Sequence, residues 1–287
     1  MKFVELNTYA KINLTLEVLG RRADGYHELR MVMHSVGIYD RLRIEKAEKG
    51  IISVECDAPL PEFNTAYRAA ELFIRETGCG GVRIRLEKSI PAEAGLGGGS
   101  ADAAGVLHGM QLLYGEMDRE RLYKIGEQVG ADVPFCLHGG CALVQGIGEK
   151  LSTLEPVSLP LLIVKGAAGV STGALFRSLS PESMLVSDGL AERMIEALGK
   201  DAMAVASNLY NALSPAAESL VPAIGEQRER LIEAGALGAL MTGSGSAVFG
   251  VFESLEKAKK AEAMFSGCAF TAVCSTVSEP VCITRVG

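Results

Sequence analysis

Apolar and polar residues alternate along the first sixty positions in three runs: FVELNTYAKINLTLEVLG (3–20), RMVMHSVGIYDRLRIEKAE (30–48) and IISVEC (51–56). A period of two turns one side of a strand toward a core, so the runs predict three strands, with RRADGYHE as the first long connection. At 64–78 the spacing changes. Ala66, Ala69, Ala70, Phe73 and Ile74 fall on one helical face, Asn64 is placed to cap it and Gly78 to stop it. GVRIRLEKSI (81–90) alternates again. SADAAGVLHGMQLLYG (100–115) predicts a helix with Ser100 at or near its cap, and DRERLYKIGEQVG (118–130) another. ADVPFCLHGGCALVQGIGEKL (131–151) reads as a turn leading into a strand.

Between about Leu154 and Pro160 the chain has two prolines and few charges, which sets a boundary between a domain of residues 1–155 and one of residues 156–287. Beyond it the pattern predicts a strand (LPLLIVKG), a hydroxyl-bearing loop (GVSTGALF) and helices around 189–199 and 216–234. A TGSGS turn between two strands, a helix (SLEKAKKAEAMF) and a strand-like end follow. The length suits two domains. No segment repeats, and the mixture lacks a regular βαβ rhythm, so the fold class is α+β rather than a doubly wound sheet.

Composition narrows the function. Hydrophobic residues make up 48% and charged residues 22%, an ordinary globular balance, and the net charge of -7 argues against a protein that coats nucleic acid. Trp is absent, and no basic strip is studded with aromatics. Seven cysteines without a CxxC fit neither zinc spacing nor a disulfide framework; buried free thiols in a reducing compartment are expected. The stretch AGALGALMTGSGSAVFGVF (234–252) is uncharged and near membrane-span length, but its central hydroxyls and glycines suit two buried segments around a turn. With no secretory leader in MKFVELNTYAKINL, the expectation is a cytoplasmic protein without a membrane partner.

PAEAGLGGGSADAA (91–104) carries the chemistry. It joins a predicted strand to an alanine-rich helix, which disfavours a flexible linker and leaves tight packing or an anion site. A glycine-rich entry to a helix gathers free backbone N–H groups at the positive end of the helix dipole. The loop has neither the lysine of a Walker A motif nor the third glycine of a dinucleotide fingerprint.

Three segments resemble the GHMP small-molecule kinases: YAKINLTLEVLGRRADGYHEL (9–29), the glycine loop itself, and MTGSGSAVFG (241–250). DGYHEL, GADVPF and YDRL resemble a branch of that family whose substrate is a cytidine diphosphate sugar alcohol of isoprenoid biosynthesis. Ser100-Ala101 stands where the family often has two serines, and Ser246 and Ala247 stand in the proline and threonine positions of its SGSGPT motif. The resemblance implies a two-domain fold, a ribosomal-S5-domain-2-like N-terminal half and a ferredoxin-like α/β sandwich C-terminal half. It implies ATP and Mg²⁺ as cofactors, transfer to a 2-hydroxyl, and a monomer or homodimer.

By the same resemblance ATP would lie on Pro91, Ala92, Glu93, Ala94, Gly95, Leu96, Gly97, Gly98, Gly99, Ser100 and Ala101, with Asn64 near the adenine and Ser100 as a Mg²⁺ ligand. Asp132 would act as base beside Lys11. The substrate would meet Asn13, Tyr26, His27, Phe176, Thr242, Gly243 and Ser244, with cytosine between Tyr26 and Phe176 and hydrogen-bonded to His27. Each residue also has a plainer reading. Lys11 suits a solvated strand edge, Asp132 a turn, Asn64 a helix cap, and Thr242 to Gly245 an ordinary turn. Asp102, in the first helical turn, is expected to be structural or an outer contact of the metal. Rival functions are another kinase of the family acting on a different alcohol, a non-catalytic nucleotide-binding relative, and a dehydrogenase.

Overall fold

The computed structural model describes residues 1–115, 117–179 and 189–287. Strands β1 (Phe3–Arg21) and β2 (His27–Ala47) pair antiparallel over almost their whole length, from Phe3 opposite Glu45 to Arg21 opposite His27. Register shifts after Tyr9, Asn13 and Val18 bend this ribbon. Strand β3 (Ile52–Cys56) runs parallel to β4 (Gly81–Glu87), and β4 pairs with the far half of β2. Helix α1 (Thr65–Thr77) makes the crossover, capped by Asn64 and ended by a left-handed Gly78.

One face of this sheet is covered by α1, α2 (Gly98–Tyr114), α3 (Arg119–Val129) and α4 (Val133–His138). Helix α2 lies very close to β1: a Cβ on Gly105 would sit 2.1 Å from the Thr8 methyl. Strands β5 (Cys141–Gly146) and β6 (Lys150–Leu154) extend the sheet from the near half of β2.

A second, antiparallel sheet has the order β11–β7–β10–β9, with β7 (Pro160–Lys165), β9 (Gly238–Met241), β10 (Val248–Val251) and β11 (Phe270–Ser275). With it come α5 (Thr172–Arg177), α6 (Leu190–Leu198), α7 (Ala202–Ser207), α8 (Ser214–Leu220), α9 (Ala223–Glu233) and α10 (Leu255–Glu262). Two short strands leave this half for the first sheet: β8 (Tyr210–Asn211) pairs parallel with β1 at Thr15 and Leu16, and β12 (Val281–Val286) lies along the start of β1. The first sheet thus takes its strands up to β6 from residues before 155, and it also takes β8 and β12 from the later part of the chain.

The α+β class is as the pattern predicts, and four details differ. Helix α2 begins at Gly98 with Gly97 at its cap, so Ser100 lies inside the first turn. Residues 133–138 are helical rather than a turn, and the GVSTGALF loop contains α5, capped by the Ser171 hydroxyl. Both helices have six residues, too few for a period to show. The helix expected over 216–234 is two, parted at Val221 and Pro222, where proline cannot donate. The uncharged 234–252 stretch is two buried strands around a turn, and no helix of the described residues is long and apolar enough to cross a membrane.

Candidate active site

A cleft of about 700 Å³ opens where the bent β1–β2 ribbon, the glycine loop and the second half of the chain meet. Its floor is the loop before α2. Four successive carbonyls of that loop are taken. Glu93 and Ala94 accept from the N–H groups of Ser246 and Ala247, Gly95 accepts from the Thr242 hydroxyl at 3.3 Å, and Leu96 accepts from the Lys11 N–H at 3.0 Å. Each belongs to a trans peptide, so the N–H groups of Ala94, Gly95, Leu96 and Gly97 lie on the opposite edge of each plane. No hydrogen bond between described residues uses them, and all four residues line the cleft.

The first N–H groups of α2 follow directly, without intrahelical acceptors and at the positive end of a seventeen-residue helix. Glu93, Gly95 and Gly97 have φ of 50°, 71° and 72°, which turns the loop back on itself. Gly95 has no room for a side chain, since a Cβ would lie 2.0 Å from the Thr242 carbonyl. The result is a glycine-rich turn with free N–H groups at a helix N-terminus, a geometry of the kind that suits an anion.

Beside it stands a charge pair. Lys11 Nζ is 3.3 Å from Asp132 Oδ2 and donates to Asn13 Oδ1 at 2.9 Å. Lys11 is not a solvated edge lysine: its side chain is buried under the second half of the chain, and a Cβ on Gly97 would lie 3.0 Å from its Cγ. Asp132 occupies the cap position of α4 without making the capping bond, which leaves its partly exposed carboxylate to the cleft. A partly exposed carboxylate, a buried cation and a loop of free N–H groups therefore share one space.

A second cluster supports the loop from below. Asp40 is fully buried, and its Oδ1 accepts from the N–H groups of Ser89 at 2.6 Å and Ile90 at 2.8 Å. Its Oδ2 and Asp102 Oδ2 both pair with Lys88 Nζ. Burial pushes the Asp102 carboxyl up to about 7, against the pull of Lys88 and with the added repulsion of Asp40. Asp102 Oδ1 is buried and has no hydrogen-bond partner among the described residues.

The remaining candidates divide. Asn13, His27's neighbour Phe176, Gly243 and Ser244 reach the cleft or its rim; Asn13, Phe176, Gly243 and Ser244 line it. His27 packs against Phe176 with ring centroids 5.0 Å apart, whereas Tyr26 is 62% exposed and does not line the cleft. Burial lowers the His27 pKa. Asn64 lines the cleft, yet its Oδ1 caps α1 through the Tyr67 N–H and its Nδ2 donates to Pro61. Tyr26 and His27 do not line the cleft, and two further candidates are set back from it. Thr242 is fully buried, because its hydroxyl is held between Asn13 N and Gly95 O, and Ala101 is buried in the packed side of α2. Neither lines the cleft.

Pattern reading missed Asp40, Lys88 and Asn211. Asp40 had a visible signal, an acid on the inward phase of β2 with Val36, Ile38, Leu42 and Ile44. All seven cysteines are free, but only Cys136 and Cys141 are buried and Cys282 is exposed. Burial, and then the charge of Asp132, push the Cys136 thiol upward, so it is an inert packing group. Among the described residues no group of three or more His, Cys, Asp and Glu gathers as a metal cage.

Comparison with known proteins gives the chain's family. Residues 64–140 match the GHMP kinases N terminal domain and residues 188–269 the GHMP kinases C terminal domain. The 4-diphosphocytidyl-2-C-methyl-D-erythritol kinase of Pelotomaculum thermopropionicum is 45% identical over 89% of this chain and 91% of its own. The protein of the same name from Desulfitobacterium hafniense is 44% identical over 91% of each. A crystal structure of 4-(cytidine 5'-diphospho)-2C-methyl-D-erythritol kinase superposes with a TM-score of 0.83 at 37% identity, covering 96% of this chain and all of that one. Homoserine kinase from Cytophaga hutchinsonii, at 20% identity and a TM-score of 0.79 over 99% of this chain and 98% of its own, shares the fold.

Proposed function

The chain belongs to the GHMP kinases, in the 4-diphosphocytidyl-2-C-methyl-D-erythritol kinase family, and from that premise we infer that its cleft moves the γ-phosphoryl group of ATP to the 2-hydroxyl of 4-diphosphocytidyl-2-C-methyl-D-erythritol. The products are the 2-phosphate and ADP, in the methylerythritol phosphate route of isoprenoid biosynthesis. The observation that supports this most is the meeting of the N–H cradle with the Lys11–Asp132 pair in one cleft.

Phosphoryl transfer needs positioning and charge neutralisation more than covalent chemistry. The N–H groups of residues 94–97 and of the first turn of α2 would hold the phosphates, which approach closer to backbone than any side chain would permit. Asp132 would take the proton of the attacking hydroxyl, and Lys11 would stabilise charge developing on that oxygen. Asn13, fixed by Lys11 and sharing its face of β1, would hold the acceptor alcohol, with Gly243 and Ser244 across the cleft.

At one end of the cleft His27 and Phe176 would receive the cytosine, and Tyr26, standing outside, would cover it from solvent. At the other end, Asn64 would lie by the adenine while still capping α1. The residues fit Mg²⁺ bound mainly through phosphate oxygens. The Ser100 hydroxyl in the first turn of α2 and the unmet Oδ1 of Asp102 are oxygen donors of the kind it takes, and an all-protein cage is not required. When bound, the ion would neutralise phosphate charge. Free thiols accord with work in the cytoplasm.

The test is a coupled ADP-release assay with Mg-ATP, offering the cytidine diphosphate alcohol, homoserine, mevalonate and galactose in turn. Turnover with the first alone is expected. Turnover with another instead would keep the fold and discard the cytidine pocket, and ATP binding without any turnover would overturn the kinase reading.

A further inference from the structure

One buried side chain away from the cleft is bonded to the support of both its walls. Asn211 stands on β8, 4% exposed, beside Leu16 of β1. Its Nδ2 donates to the carbonyls of Met241 at 2.8 Å and Gly243 at 2.9 Å, and its Oδ1 accepts from Leu213 N at 2.9 Å. Those two carbonyls flank Thr242, whose hydroxyl accepts from Asn13 N at 3.1 Å and donates to Gly95 O. A single hydroxyl thus joins the strand of Lys11 and Asn13 to the glycine loop, and a single amide fixes the backbone on both sides of that hydroxyl.

The turn does not need Asn211 in order to close. Thr242 N donates to Ala247 O and Gly245 N to Thr242 O, so the turn's own backbone already bridges it. What Asn211 adds is a tie to β1, because Ala212 N donates to Leu16 O immediately after it. An apolar residue at 211 would leave two carbonyls in a dry place without donors.

We propose that Asn211 is a positioning residue for phosphoryl transfer: it holds Thr242 where the hydroxyl keeps the phosphate loop in register with β1, and so sets the alignment of bound phosphates against Lys11 and Asp132. This rests on the kinase reading above. The cradle's own N–H groups are not bonded to Asn211, so losing it disturbs alignment more than nucleotide affinity. A misplacement of about 1 Å at a reacting centre costs about 10²-fold in rate.

The experiment compares Asn211→Ala, Asn211→Asp, Thr242→Val, Thr242→Ser and the double Asn211→Ala/Thr242→Val. It measures kcat, KM for both substrates, ATP binding by calorimetry and the thermal midpoint. Expected are kcat losses of about 10- to 100-fold in both Asn211 variants and in Thr242→Val, with ATP affinity nearly kept and Thr242→Ser close to wild type. The double variant should be no slower than the worse single one, since both changes break one linkage. A general loss of structure would instead lower the thermal midpoint and weaken ATP binding in step with kcat. Should Asn211→Ala not fold, the isosteric Asn211→Asp and the Thr242 pair carry the test. Wild-type kcat in folded Asn211 variants or in Thr242→Val, or losses that multiply in the double, would overturn the proposal. Wild-type enzyme is assayed first: absent turnover there removes the kinase reading itself, whereas active wild type with unaffected variants removes only the role of Asn211.

Discussion

Lys11 and Asp132, 121 positions apart in the chain, meet at 3.3 Å with the lysine 4% and the aspartate 34% exposed. The asymmetry has a use. The cation is fixed by packing and by Asn13, while the carboxylate keeps one side open to the cleft, where the proposed reaction would bring the hydroxyl. Asp132→Asn keeps the shape and removes the proton acceptor, so kcat is expected to fall by about 10² to 10⁴ with ATP binding retained. Steady-state kinetics with calorimetric ATP titration checks this, and an unchanged kcat would remove Asp132 from the chemistry.

The cradle makes a steric prediction. At Gly95 a methyl group meets the Thr242 carbonyl at 2.0 Å, and the φ of 71° is strained for any L side chain. Gly95→Ala should therefore lose ATP affinity and some stability together. Gly267, where an added Cβ meets nothing within 4 Å, serves as the control that should tolerate alanine. Equal ATP affinity in folded Gly95→Ala and wild type would contradict the cradle.

These two sites differ in how far the sequence announces them. The glycine loop is local, so its strand–loop–helix context is readable from 81–115 alone. Lys11 and Asn13 alternate along β1, and sequence shows that they share a face, but the register shift after Asn13 brings Leu16 rather than Thr15 and Glu17 to the cleft. Sequence does not show that this face is buried, because the cover comes from the 242–246 turn, more than 190 positions away. The same distance hides Asn211, which belongs to a two-residue strand without a period. Asp40 is the opposite case: an acid on an inward phase is a readable anomaly, and only its partner Lys88 is non-local.

That cluster predicts a stability effect. Lys88→Met leaves Asp40 and Asp102 buried without their cation, and breaking such a pair from one side costs about 3–5 kcal/mol. Adding Asp102→Asn to Lys88→Met removes one stranded charge and should restore part of the loss. Urea unfolding of the three proteins measures both steps. A Lys88→Met midpoint equal to wild type would mean that the carboxylates find other compensation.

His34 predicts how stability depends on pH. The ring is fully buried, Val157 N donates to its Nε2 at 3.1 Å, and Nδ1 lies 3.0 Å from Ser35 O, so the bonds require the neutral tautomer protonated at Nδ1. Burial lowers its pKa to about 4, with the Ser35 bond opposing. A base whose folded pKa is depressed is most stabilising above its unfolded value near 6.5, and that stability drains away as pH falls from 6.5 toward 4. The shift corresponds to ~3 kcal/mol across that window. Asp102 acts with the opposite sign there, since its raised folded pKa favours the native state at low pH and the benefit is lost as pH rises through about 7. The wild-type curve alone therefore mixes several slopes, since burial also lowers the pKa values of His27 and His108. The difference between wild type and His34→Gln in urea midpoint, followed from pH 7 down to about 4.5, isolates the histidine. Wild type should lose stability relative to the variant across that range, by about one proton's worth of linkage, and parallel curves would show that His34 does not titrate against folding.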